Sequence, residues 1–249
     1  MITIKSKSQI QKLKDAGKIV AETHQLLKEA IREGISTYDL DQMAEKYIRK
    51  CNAIPSFKGY GGFKGSICTS INSVMVHRIP SKDTILKNGD IISIDIGALY
   101  NGYHGDSAKT HGVGDISEKD KELIAVTRQS FYEGFKKAVV GNRLSDISNA
   151  VQTYAESFGF SVIRDYVGHG VGENLHEDPQ VPNYGKPGRG PRLQEGMVLA
   201  IEPMIATGTY KVKVLSDGWT AVTLDDKNAA HYEHTIAITA GEPELLTIL

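Results

Sequence analysis

The sequence is poor in cysteine. Cys51 and Cys68 are the only two, with residues 52–67 between them, and such a pair makes neither a disulfide framework nor a zinc motif. Reduced thiols are the expectation. Long apolar runs are also missing: nowhere do the roughly 18 consecutive apolar residues of a membrane-spanning helix occur, and no apolar stretch follows Met1–Lys7 as an export signal would require. A soluble, cytoplasmic protein without membrane attachment is expected. Charge of one sign is lacking too. Lys and Arg number 29 against 30 Asp and Glu, for a net charge of -1, which leaves no basic footprint for nucleic acid. The 249 residues suffice for a well-buried core in one large α/β domain or two small ones.

What the sequence does have is a pair of hairpin arms carrying two carboxylates. Ile91 to Ile96 is β-branched and apolar enough for a buried strand, and Asn101-Gly102 is a strong signal for a two-residue hairpin turn. With those two residues at the turn, Tyr100 pairs with Tyr103 and Asp95 with Ala108. Side chains alternate faces with period two, so Asp95 and Asp106 become diagonal neighbours about 7 Å apart. Two carboxylates so close repel unless they share a proton or a divalent cation.

Four helical patterns surround these arms. The first starts at Ser8, with a capping box to Gln11, and carries Ile10, Leu13, Ile19, Val20, Leu26, Leu27 and Ile31. The second is opened by Ser36 and Asp39, the third runs from Ser117 to Gly141, and the fourth passes through Ile147, Val151, Tyr154 and Phe158. A shift of 107 positions lays Gly34 on Gly141, Asp39 on Asp146, Tyr47 on Tyr154, Gly89 on Gly196, Ile91–Ile94 on Val198–Ile201, and Asp95 on Glu202. One offset relating helices, strands and an acidic residue implies two copies of a helix-helix-strand unit. The expected fold is α+β: one domain over 1–249, with pseudo-symmetric halves of about 1–115 and 116–249, packed as a curved sheet covered by four helices.

The second half supplies further candidates. His169 is flanked by Gly168 and Gly170, where glycine permits close backbone approach; His176 follows; Glu202 ends an apolar strand, and Glu233 lies within another. Burying Asp95, Glu202 and Glu233 without compensation costs several kcal/mol each. Four carboxylates with one neutral imidazole suit a two-metal site for Mn, Fe(II), Co or Zn, where bound water becomes a nucleophile near neutral pH. That chemistry points to hydrolysis. His77 and His176 are placed to donate hydrogen bonds to a peptide carbonyl, and the glycine- and aromatic-rich segment from Pro55 to Pro80 is suited to shape a pocket.

These residues, in this order, resemble a known family. Ile54-Pro55-Ser56-Phe57, Cys68-x-Ser70-Ile71-Asn72, Val76-His77-x-Ile79-Pro80, Asp95-Ile96-Gly97, Gly105-Asp106-Ser107-Ala108, Gly168–Gly172, His176-Glu177-x-Pro179 and Ile201-Glu202-Pro203 together resemble the type I methionine aminopeptidases of the pita-bread metallopeptidase fold. The resemblance covers essentially the whole chain. It implies that Asp95, Asp106, His169, Glu202 and Glu233 bind two metals, with Asp106 and Glu233 bridging. It also makes Glu202 a general base and gives His77 and His176 contact with the scissile peptide, while Tyr60, Phe63, Cys68 and Trp219 line the methionine pocket. The implied activity is removal of the initiator methionine from nascent polypeptide N-termini, with a small second residue preferred, by a monomer that meets the ribosome transiently. Arg78 and Leu175 depart from the pattern, which commonly has glycine and an aromatic there; added positive charge at the cleft mouth and a softer pocket wall are the expectations. Two alternatives remain: an Xaa-Pro peptidase of the same fold, which usually carries an additional N-terminal domain, and an inactive peptide-binding module, which would have lost ligands.

Overall fold

The computed structural model describes residues 1–249. Four helices, α1 (Lys7–Ala30), α2 (Thr37–Lys50), α3 (Glu118–Phe135) and α4 (Leu144–Ser157), cover antiparallel strands. The longest pair is Ile91–Tyr100 with Tyr103–Gly112, in the expected register: Tyr100 opposite Tyr103, Asp95 opposite Ala108 and Gly97 opposite Asp106. Asn101 and Gly102 both take positive φ, 49° and 81°, as a tight turn between right-twisted strands demands.

The repeat is visible in the element bounds. Adding 107 to Thr37–Lys50 gives Leu144–Ser157, and adding it to Ile91–Ile94 gives Val198–Ile201, a strand of its own. Gly34 and Gly141 match in backbone, with φ of 84° and 94°, as do Gly89 and Gly196, with 91° and 88°. Asp39 and Asp146 do the same work at the starts of α2 and α4, accepting from the N–H of Ser36 at 3.3 Å and of Arg143 at 2.7 Å.

Each half buries its own core between helices and sheet. Ile92, Ile94 and Ile96 are fully buried against Val20 and Leu27 of α1 and Leu40 and Ile48 of α2. Leu199 and Ile201 are buried likewise with Phe131 of α3 and Leu144 and Ile147 of α4. Each such side chain contributes roughly 1.5–3 kcal/mol by leaving water. Because strand residues alternate faces, these apolar contacts turn Asp95 and Glu202 away from the helices, toward the opposite face.

The halves are stitched together at that face. The Glu233 N–H donates to the Ala108 carbonyl at 2.8 Å. The Asp106 N–H donates to Thr235 Oγ1 at 3.1 Å, and Thr235 Oγ1 donates back to the Asp106 carbonyl at 2.8 Å. The expected layer is built of four antiparallel sheets, of four, three, three and five strands, joined by such contacts.

Two helix ends differ from the sequence reading. α1 is capped by Ser6, whose Oγ accepts from the Gln9 N–H while Gln9 Oε1 accepts from the Ser6 N–H, so the box is Ser6–Gln9 and not Ser8–Gln11. Both serines have glutamine three residues on. Lys5 selects between them: its N–H donates to the Gly196 carbonyl and its buried Nζ lies 2.5 Å from Glu177, which fixes where the chain enters the helix. α3 stops at Phe135 instead of reaching Gly141, because the chain turns there to bury Ala138 and to bond the Gly141 N–H to the Leu193 carbonyl.

Candidate metal centre

The central face carries a cavity of about 150 Å³. It brings together all eleven side chains picked out in the sequence: Asp95, Asp106, His169, Glu202 and Glu233 at one end, His77 and His176 beside them, and Tyr60, Phe63, Cys68 and Trp219 along the wall. Phe57 and Leu175 complete the lining.

Backbone packing sets His169. A Cβ on Gly168 would stand 2.3 Å from the Ala200 carbonyl oxygen, and one on Gly170 would stand 2.2 Å from that of Asp178. Only glycine lets the three chains approach so closely. The His169 Nδ1–H donates to the Gly170 carbonyl at 2.9 Å, so Nε2 is the unprotonated nitrogen. That nitrogen lies 3.8 Å from Asp106 Oδ2 and 3.6 Å from Glu202 Oε1. Donor atoms of Asp106, His169 and Glu233 all fall within 4.8 Å of one another.

The electrostatics are those of carboxylates crowded out of water. Burial raises the carboxyl of Asp95 to about 7, with the Glu202 charge adding to it. Asp106 and Glu233 are pushed well up by burial and by the other carboxylates, and Glu202 by burial. Burial lowers the His169 imidazole to about 4, so it is neutral and its contacts to Asp106 and Glu202 are not ion pairs. Asp95 Oδ1, Asp106 Oδ1 and Glu233 Oε1 are buried with no hydrogen-bond partner. Orphaned carboxylate oxygens converging on an imidazole lone pair, with no Lys or Arg lining the cavity, are a donor set for a divalent cation. The residues present therefore fit a metal.

The flanking histidines differ in setting. His77 sits in a left-handed backbone conformation, φ 62°, with its ring edge-on to Tyr166. Burial brings its imidazole down to about 4. His176 is exposed; its ring lies 4.3 Å from that of His169, and its Nδ1 is 2.8 Å from the Tyr60 hydroxyl. The wall is apolar, with Phe63 edge-on to Trp219 at 5.2 Å.

The chain matches the model of metallopeptidase family M24 over residues 11–240. It belongs to metallopeptidase family M24. A methionine aminopeptidase of Clostridium acetobutylicum is 59% identical over 248 residues, which is 100% of this chain and 99% of the relative. The crystal structure of a methionine aminopeptidase from Thermotoga maritima, 48% identical, superposes with a TM-score of 0.99 and covers all of both chains. A prolidase from Pyrococcus horikoshii shares the M24 fold at a TM-score of 0.77 and 24% identity, but this chain covers only 63% of it.

One feature of the site escaped the sequence reading and two expectations differ. His231 Nε2 lies 3.5 Å from Glu202 Oε2; it ends the strand Ala229–His231, and Glu233, expected within a strand, falls in the break before the next strand at His234. Leu175 does line the wall, at 2% exposure, and Phe57 of the aromatic segment joins it. Arg78 does not line the cavity. Its guanidinium donates to Thr84 Oγ1 at 3.3 Å instead.

Proposed function

We propose that the protein releases methionine from the N-terminus of newly made chains and peptides, by hydrolysis of the first peptide bond at a dinuclear centre. The carrying observation is the convergence of four carboxylates and one imidazole lone pair at the end of a small apolar cavity. Asp95, Asp106, His169, Glu202 and Glu233 would hold the two ions. When bound, such a pair lowers the pKa of water and makes a nucleophile available at neutral pH. Mn, Fe(II), Co and Zn all suit a set this rich in oxygen with one nitrogen.

The chain's own groups do the rest. Glu202 receives the proton of the attacking water, and neutral His231 stands beside that carboxylate, its Nε2 3.5 Å away and not hydrogen-bonded. His176 donates from Nε2 to the developing oxyanion while Tyr60 occupies its Nδ1, and His77 donates from the other side. A thioether side chain enters against Phe63, Cys68, Trp219, Phe57 and Leu175, an apolar and polarizable wall. The volume of about 150 Å³ admits one side chain, not a longer segment. All these groups belong to one catalytic domain spanning both halves, acting as a monomer in the cytoplasm, where nascent chains leave the ribosome.

Met-Gly-Met and Xaa-Pro peptides, offered to metal-stripped protein to which Mn, Co, Fe(II) or Zn is returned, test this. Release of methionine alone, and only with metal, is expected. Cleavage only before proline would move the reading to the prolidase side, and binding without hydrolysis under any metal would leave a peptide-binding module.

A further inference from the structure

On the helix-facing side of the Tyr103–Gly112 strand lies a second, open cavity of about 480 Å³, bounded by α1 and α3. Asp106 faces the candidate metal centre, and the alternation of the strand turns Lys109 and His111 the other way. α1 contributes His24 and Lys28 and α3 contributes Arg128. No Asp or Glu side chain lines this cavity, although the chain as a whole has as many acidic as basic residues to within one. None of Lys28, Lys109 and Arg128 is ion-paired.

Lys109 is half-buried, makes no hydrogen bond, and has two other cations for neighbours, an arrangement that costs free energy until an anion joins it. The histidines add unused hydrogen-bonding capacity. His24 Nε2–H donates to the Ser107 carbonyl at 2.9 Å, which leaves its buried Nδ1 as an acceptor without a donor. His111 Nε2 is also buried and unpartnered. A metal ion does not suit a place ringed by three cations. An anion that accepts several hydrogen bonds suits it well, accepting from the cations.

We propose that this cavity binds a phosphate-class anion, with Lys28, Lys109 and Arg128 holding its charge and His24 and His111 in the wall beside it. The site is independent of the reading of the metal centre. Inorganic phosphate, pyrophosphate and ADP are titrated at low salt into the Zn-loaded protein, and the imidazole resonances of His24, His111 and His169 are followed. The His169 signal separates anions reaching the metal centre from those reaching this cavity. Saturable shifts at His24 and His111 are expected, weakened by about tenfold or more in Lys109→Gln/Arg128→Gln while methionine release stays within about twofold of wild type. The exposed single variant Arg128→Gln, weakened less, serves if the double variant does not fold. Tightest binding of pyrophosphate assigns a bare oligophosphate, and tightest binding of ADP assigns a phosphate carried on a nucleoside. Absence of saturable shifts at both histidines with all three probes, or equal affinity in the folded variants, overturns the proposal.

Discussion

His176 stands in solvent beside the metal-binding groups, and the one hydrogen bond that orients its ring is that between its Nδ1 and the Tyr60 hydroxyl, at 2.8 Å. If it steadies an oxyanion, His176→Ala lowers kcat by roughly two to three powers of ten with the melting temperature unchanged. Tyr60→Phe, which keeps the ring and loses the hydroxyl, costs less, about tenfold, by freeing the imidazole to rotate. Steady-state kinetics on Met-Gly-Met beside a thermal melt reads both, and a loss of stability with undiminished kcat would return His176 to a structural role. The residue types were legible in the sequence because carboxylates within apolar strands are costly and therefore conspicuous. The partnerships were not. Tyr60 and His176 are 116 positions apart, and neither spacing nor composition says that they meet.

Among the elements, the arms of the hairpin and the repeat were the most readable, since turn chemistry and period-two alternation are local. The register followed from Asn101-Gly102 alone. The 107-residue offset located α4 and the Val198–Ile201 strand from their counterparts. The start of α1 was not readable, because Ser6 and Ser8 offer equivalent boxes and the choice is made by the buried Lys5–Glu177 pair, 172 positions apart. α1 must also lie unusually close to its neighbours. A Cβ on Gly17 would stand 2.0 Å from the Leu246 carbonyl oxygen, and one on Gly105 would stand 2.7 Å from the Gly17 nitrogen. Gly17→Ala therefore has to push the helix away from Leu246 and Thr247, at a cost of about 1–3 kcal/mol or more. Urea denaturation measures it. A midpoint equal to wild type would mean that the helix is not held at this distance.

For the whole molecule the two pseudo-symmetric halves place their acidic strands against each other, and metal binding and stability become linked. Without metal, a folded-state carboxyl raised to about 7 at Asp95, from 3.8 in the unfolded chain, makes the folded state bind more protons across that interval. Stability then falls as pH rises through the window and is lowest above about 7. His104 and His111 act oppositely: held down to about 4 from 6.5, they favour folding fully above 6.5 and lose that contribution as pH falls toward 4. Above about pH 7.5 the histidines are essentially neutral in both states, which isolates the carboxylates. The metal-stripped protein is expected to melt at a lower temperature at pH 8.5 than at pH 7.5, and added Mn or Zn to raise the melting temperature more at pH 8.5. A metal-stripped protein that is equally stable at both pH values would mean that the carboxylates are compensated by something other than a cation. If methionine release depends on metal held by these carboxylates, the most direct measurement is metal titration of Asp106→Asn beside wild type, following bound metal and methionine release together. A variant that stays folded, binds less metal and releases no methionine at any metal concentration is the predicted result; wild-type turnover once metal is added would contradict it.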